Sequence, residues 1–192
     1  MQQNKANCRL KGDTMKHKNV TNEMIRDYIV EALLILMHTK DYNSITIGQI
    51  TEKAGVNRST YYRNFETKED IIRRFYMRLL ENSLDSMTEA DKSTLCSYLR
   101  IHFHTFYLHK NELILLHRAG LSYLFLDVLN NVFMQKQELE KDFIKEISVY
   151  YHTGGIFNTF LLWFEKGMSI SPDDFASICA EIYPLDSKPM LI

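Results

Sequence analysis

Apolar side chains recur along most of this chain at the three- and four-residue spacing of an amphipathic helix. The first series predicts a helix that begins near residue 21 or 22 and runs to about residue 40. Its apolar members are Ile25, Ile29, Ala32, Leu33 and Leu36. Polar clusters able to cap or end a helix separate this series from the later ones. The whole pattern predicts eight or nine helices with no internal repeat.

Turn-forming residues are too scarce for a β-rich fold. The three prolines, Pro172, Pro184 and Pro189, all lie near the C-terminus, and the chain of 192 residues has only seven glycines. Strands of ordinary length would need more glycine and proline at their connections. The sequence therefore predicts an all-α protein.

The segment 46–65 contains two short helices separated by a glycine turn. Thr46 and Gln49 are spaced as a capping box at the start of the first helix. Gly55 suits the left-handed residue that follows a helix, and Asn57 is a good N-cap for the second. Two short helices joined by such a turn are typical of the helix-turn-helix, whose second helix enters the major groove of DNA.

The exposed positions of the second helix carry no acidic residue and many hydrogen-bond donors. Its first turn would face the groove floor, where Arg58 could bond guanine in bidentate fashion. Later positions and the helix starts near Thr46 and Lys68 would contact phosphates. Gly48 has no side chain to reach a base, and Tyr61 is expected in the core. The predicted DNA-binding residues are Thr46, Arg58, Ser59, Thr60, Tyr62, Arg63, Asn64 and Lys68.

These residues resemble the signature of the TetR family of regulators over about residues 21–75. In this chain the signature reads Thr46, Ile50, Ala54-Gly55-Val56 and then the run from Thr60 to Asp70. Two positions depart from it: Asn64 stands where the family usually has His or Tyr, and Thr51 where it often has Ala. The resemblance implies an N-terminal three-helix DNA-binding domain, followed by a C-terminal helical bundle that binds a ligand and forms dimers.

The charge distribution is consistent with this division. The formal charge is +5 over residues 1–80 and −6 over residues 81–192, so only the front of the chain suits a polyanion. We expect residues 1–20 to be a flexible basic tail. Residues 21–66 would form the helix-turn-helix domain, and residues 67–192 a helical domain for effector binding and dimerisation.

Aromatic side chains and histidines concentrate between residues 98 and 126. The family resemblance implies a ligand cavity here, although aromatic stripes at helical spacing are more often ordinary core. His102 and His104 point about 200° apart on a helix and cannot share one metal ion, so neither a metal nor another cofactor is expected. The predicted contacts to an unidentified small-molecule effector are His102, Phe106, His117, Tyr123 and Tyr151.

The segment from Phe143 to Phe164 is apolar on so many sides that it needs burial by a partner. The pair Gly154-Gly155 permits close backbone approach, at about 1 kcal/mol per glycine in helix propensity. With the last helix it could form half of a two-fold four-helix bundle, as the resemblance also implies. The prediction is a homodimer through the last two helices, and the alternative is an intramolecular core.

These features predict a ligand-responsive transcriptional regulator that acts as a homodimer on a double-stranded DNA operator, with repression the favoured mode. The alternative is a TetR-like protein that acts through a protein partner as a co-activator. No nucleophile triad, phosphate-binding glycine loop or paired carboxylates favour an enzyme. The longest apolar run, Ala32 to Met37, is far below the roughly 18 residues of a membrane span. With three scattered cysteines that fit reduced thiols, we expect a cytoplasmic protein without membrane association.

Overall fold

The computed structural model describes residues 22–136 and 143–182, and the predicted basic tail lies outside the described residues. Within these ranges the chain forms nine α-helices and two short 3-10 helices, Tyr42–Ser44 and Asp91–Ser93, with no strand. The all-α class is therefore confirmed. The α-helices are α1 (22–37), α2 (Ile47–Ala54), α3 (Arg58–Asn64), α4 (Lys68–Asp85), α5 (Leu95–Tyr107), α6 (Lys110–Arg118), α7 (Tyr123–Lys136), α8 (Phe143–Glu165) and α9 (Pro172–Ile182).

The chain divides into two compact units between Ile71 and Ile72. This point lies inside α4, a few residues beyond the boundary at 66 expected from the sequence. The first turn of α4 therefore belongs to the first unit.

The first unit is built around the apolar face of α1. Ile29 and Leu33 from α1 are fully buried together with Ile50 from α2 and Tyr61 from α3. Helix α1 ends at residue 37 rather than near residue 40, because its last bonds tighten to the three-residue pattern, His38 N–H to Ile35 O and Thr39 N–H to Leu36 O.

The second unit has an aromatic core between α5, α7 and α8. Phe106, Phe125 and Phe160 are buried with ring centroids 4.7–5.3 Å apart. Helix α5 begins after Thr94, whose hydroxyl accepts from the Ser97 N–H. It ends at Tyr107, and the backbone at His109 leaves the helical region before α6 starts.

Candidate nucleic-acid interface

Local capping defines the geometry of α2. Thr46 Oγ1 accepts from the Gln49 N–H at 3.3 Å, and Gln49 Oε1 accepts from the Thr46 N–H at 3.0 Å. Gly55 closes the helix with a φ of 67°, a left-handed conformation that glycine adopts at no steric cost. The capping box and the glycine stop predicted from the sequence are both confirmed.

Helix α3 is positioned by its cap and by two buried rings. Asn57 Oδ1 accepts from the Thr60 N–H and from Ser59 Oγ, both at 2.7 Å. Tyr61 is fully buried, as predicted, and its ring packs near that of Phe65. Burial raises the pKa of Tyr61 to about 12, and the charges of nearby side chains add to the effect. The buried Tyr61 therefore sets which face of α3 meets solvent.

The exposed face of α3 carries donors and no acid. Arg58, Ser59, Tyr62 and Arg63 are exposed, and Thr60 is half-buried. Arg58 is exposed and makes no hydrogen bond or ion pair with any residue that the structure describes, so its five guanidinium donors are left without a protein partner there. Such a surface suits the acceptor-rich edges and phosphates of a nucleic acid.

Arg63 is engaged within its own helix, yet its contacts are exposed. Its Nε donates to Ser59 O at 3.3 Å and its Nη2 to Thr60 Oγ1 at 3.0 Å. Each bond joins the charged guanidinium to a neutral oxygen and is exposed to solvent, so water competes for the same donors. A phosphate oxygen, which is itself charged, would form stronger bonds in their place.

Asn64 uses its amide to join two helices of the unit. Its Nδ2 donates to Thr60 O at 2.8 Å, and its Oδ1 accepts from Arg26 Nε of α1 at 3.2 Å. Arg26 also pairs with Glu23 at 3.1 Å. The departure from the family signature at residue 64 therefore has a packing role, and its phosphate contact stays a prediction.

Lys68 is directed toward the protein. Its Nζ donates to Tyr42 O at 2.8 Å and to Ile45 O at 2.9 Å, and it lies 4.3 Å from the centroid of the Tyr42 ring. This pair of carbonyl acceptors was not predicted from the sequence. No short-range signal shows it, since the partners are more than 20 residues apart.

The predicted effector residues do not come together in the second unit. His102 lies in the lining of a cavity of about 30 Å³ between α4, α5, α7 and α8. Phe106 is fully buried core, and His117 Nδ1 lies 3.1 Å from Ser122 Oγ outside that lining. Tyr123 is 51% and Tyr151 77% exposed. The other lining residues are Leu80, Tyr98, Leu99, Leu129, Phe133, Ile156 and Phe160.

The lining residues that were not predicted from the sequence share a weak sequence pattern. Leu129 and Phe133 on α7, and Ile156 and Phe160 on α8, are pairs four residues apart that share one helix face. His102 is held at the wall by Ser83, whose Oγ lies 2.7 Å from its Nδ1, and by the edge of the Tyr98 ring. The same spacing occurs in ordinary core, so it could not single out a cavity.

Helix α8 presents an apolar stripe to solvent. Residues four, seven and eight positions after Phe143 continue its face along the helix. The large members of the stripe are between 51% and 79% exposed: Phe143, Ile144, Ile147, Tyr150, Tyr151 and Leu162. In α9, Ile178 and Ile182 are also exposed. Tyr151, predicted to contact an effector, belongs to this stripe.

Residues 22–136 and 143–182 offer neither a metal site nor a membrane span. No group of three or more His, Cys, Asp or Glu side chains is placed to hold a metal ion there. None of the helices in these ranges has the length and hydropathy needed to cross a bilayer.

A capped helix pair with an acid-free, donor-rich second helix defines a helix-turn-helix protein of the nucleic-acid-binding class. Residues 29–75 match the model of the bacterial regulatory proteins of the tetR family. These residues therefore form a helix-turn-helix domain of the TetR type, and the resemblance seen in the sequence is confirmed for this part of the chain.

Two relatives are similar to this chain over part of its length. The HTH-type transcriptional regulator AlkX of Mycobacterium tuberculosis is 24% identical over 71 residues, which is 37% of this chain and 34% of that protein. The uncharacterized HTH-type transcriptional regulator YxbF of Bacillus subtilis is 29% identical over 82 residues, 41% of this chain and 22% of that protein. The matches thus span about a third and about a fifth of these relatives' length.

Proposed function

We propose that the chain is a homodimeric repressor that binds duplex operator DNA through α3 and releases it when a small molecule binds the second unit. It acts by binding and not by catalysis, in the cytoplasm where bacterial operators lie. The observation that carries the proposal is the exposed face of α3, which offers Arg58 unpaired among residues without a single acid.

The proposal that α3 binds DNA assigns different contacts to its first residues and to its later ones. Its N-terminal residues Arg58 and Ser59 are exposed while Tyr61 is buried, and the N-terminal residues of the second helix read base edges in a helix-turn-helix. Tyr62 and Arg63 then supply phosphate contacts on the same exposed side. Thr46 is also proposed to contact DNA, because it is exposed at the start of α2.

Effector binding is proposed at the cavity beside His102. The surface that lines the cavity is apolar, although His102 and Tyr98 are among its residues, and this favours an apolar or aromatic ligand with few polar groups. At about 30 Å³ the cavity is far smaller than the roughly 300 Å³ that a drug-sized ligand needs. A ligand must therefore separate the lining helices. It would bind the conformation with separated helices more tightly than the closed one, and such a difference in affinity is what shifts a conformational equilibrium.

The homodimer is proposed through the apolar stripe of α8 and the exposed face of α9. A Cβ at Gly154 would meet no atom within 4 Å, so nothing in its own surroundings requires glycine in mid-helix. A second copy of the chain packed closely along this stripe would explain the glycine, because its backbone would approach there, and it would cover the exposed aromatic side chains. A two-fold dimer would present two α3 helices to successive major grooves about 34 Å apart.

The test is binding of the purified chain to duplex DNA selected from a random pool, followed at increasing salt. We expect a specific complex that weakens steeply with salt. Arg58→Ala should lower discrimination between the selected site and single-base variants by about 1–3 kcal/mol. Arg118→Ala removes the same charge from an exposed position in the second unit, and it should leave discrimination unchanged.

The opposite result has a definite meaning. If the wild-type chain selects no duplex, and Arg58→Ala and Arg118→Ala behave alike, the repressor proposal is wrong. Retention of a protein partner by the same preparation would then favour the co-activator alternative.

A further inference from the structure

The side chain of Arg58 lies against the one residue of α2 that has no side chain. A Cβ built on Gly48 would stand 3.1 Å from Arg58 Nη2 and 3.7 Å from Thr46 Oγ1. A Cβ at the first of these distances would require the guanidinium to move by a few tenths of an ångström. The guanidinium therefore lies in space that glycine at position 48 leaves open.

This contact joins the exposed starts of the two helices. Gly48 lies in the first turn of α2 and Arg58 is the first residue of α3. Arg58 has no hydrogen bond or ion pair to any residue in the described ranges that would otherwise fix its long side chain. Its direction is thus set by packing against the Gly48 backbone and by the position of α3.

From this we infer that Gly48 is a positioning residue for DNA specificity: it leaves the space in which the Arg58 guanidinium is held while it reads a base. The inference rests on the proposed function, because it concerns which base the same surface selects. Gly48 itself contacts no base, in agreement with its lack of a side chain, and its effect passes through Arg58.

The obvious alternative is that Gly48 matters through the helix or through direct contact with DNA. In the first case alanine would act on stability alone, since it is the better helix former. In the second case a Cβ would hinder the approach of the DNA backbone whether or not Arg58 is present. Both alternatives predict effects of Gly48→Ala that are independent of Arg58.

A double-mutant cycle separates these cases. Four proteins are compared: the wild-type chain, Gly48→Ala, Arg58→Ala and the double variant. Each is titrated with the duplex selected by the wild type and with its single-base variants. We expect Gly48→Ala to lose discrimination on the order of tenfold at the base pair read by Arg58. Its melting temperature should not fall. In the Arg58→Ala background the same substitution should have no further effect on discrimination.

A second readout needs no DNA. In the free wild-type protein, nuclear Overhauser effects should connect the Gly48 Hα protons with the Arg58 side chain, and the corresponding signals should be lost in the Gly48→Ala variant. Absence of the contact in the wild type would overturn the inference, as would equal effects of Gly48→Ala in both backgrounds. If the wild type selects no duplex at all, the proposed function is wrong, and this inference is then wrong as well.

Discussion

Lys68 and Tyr42 contact each other at two points, although 26 residues separate them. The Lys68 ammonium donates to the Tyr42 carbonyl oxygen at 2.8 Å and lies 4.3 Å from the centroid of the Tyr42 ring. The Tyr42 hydroxyl in turn donates to Glu69 Oε1 at 2.7 Å. These bonds tie the 3-10 helix between α1 and α2 to the first turn of α4. A lysine that sequence reasoning assigned to DNA phosphates thus has structural partners within the first unit.

Replacing Lys68 with alanine should destabilise the first unit. Two carbonyl oxygens would lose a charged donor, and hydrogen bonds to charged groups are worth about 1.5–3 kcal/mol. The free energy of unfolding, measured in urea, should fall by about that amount. Lys53→Ala, at an exposed position, should change it by less than about 0.5 kcal/mol. Unchanged stability together with a shallower salt dependence of DNA binding would restore Lys68 as a phosphate contact alone.

The hydroxyls of Tyr61 and Tyr76 are buried with no hydrogen-bond partner among the residues described. Burial removes each hydroxyl from water without a hydrogen bond to compensate. Tyr61→Phe and Tyr76→Phe should therefore leave the free energy of unfolding unchanged or raise it, by up to about 1 kcal/mol. Tyr42→Phe is the matched control: it removes the bond to Glu69 and should lower stability. Urea denaturation of the three variants distinguishes them, and a clear loss in Tyr61→Phe would show a hidden partner.

Stability should also fall at alkaline pH because of Tyr61. Its pKa is raised from an ordinary value near 10 to about 12 by burial, so the folded state holds the proton more tightly than the unfolded chain. The contribution is complete below about pH 10 and is lost as pH rises from about 10 to about 12. Tyr61→Phe should show a shallower decline of the free energy of unfolding over this range. Parallel curves for wild type and variant would contradict the assignment.

Disruption of the α8 stripe should dissociate the proposed homodimer. Tyr151→Asp places a carboxylate in the centre of the apolar stripe, where burial of an unpaired charge costs several kcal/mol. We expect sedimentation equilibrium to show a monomer for this variant. Tyr123→Asp provides the control, because Tyr123 is 51% exposed on α7 away from the stripe. A wild-type monomer at micromolar concentration, or equal behaviour of the two variants, would remove the homodimer proposal.

Enlarging the cavity beside His102 should create an apolar binding site. Leu129 lines the cavity and is buried, so Leu129→Ala should lower the free energy of unfolding by about 2–5 kcal/mol. Toluene should fill the added space and raise the melting temperature of the variant more than that of the wild type. Equal shifts in the two proteins would indicate that toluene binds elsewhere.

The predictions that were confirmed from the sequence concern features closed within a few residues. The Thr46–Gln49 capping box, the glycine stop at Gly55 and the Asn57 cap each depend on atoms three or four positions apart. Their backbone geometry follows from residue type alone. Tyr61 could also be assigned to the core, because the position that it matches in the family signature is usually apolar.

What the sequence alone determined about this protein is therefore its helical class, its helix starts and its acid-free α3. The tertiary structure decided which similar side chains are buried and which are free. Phe106 is buried core while Tyr151 is exposed, and Lys68 turns inward while Arg58 stays unpaired beside Gly48. The reason is physical: periodicity marks the apolar side of one helix, whereas a partner dozens of residues away exists only after the helices pack.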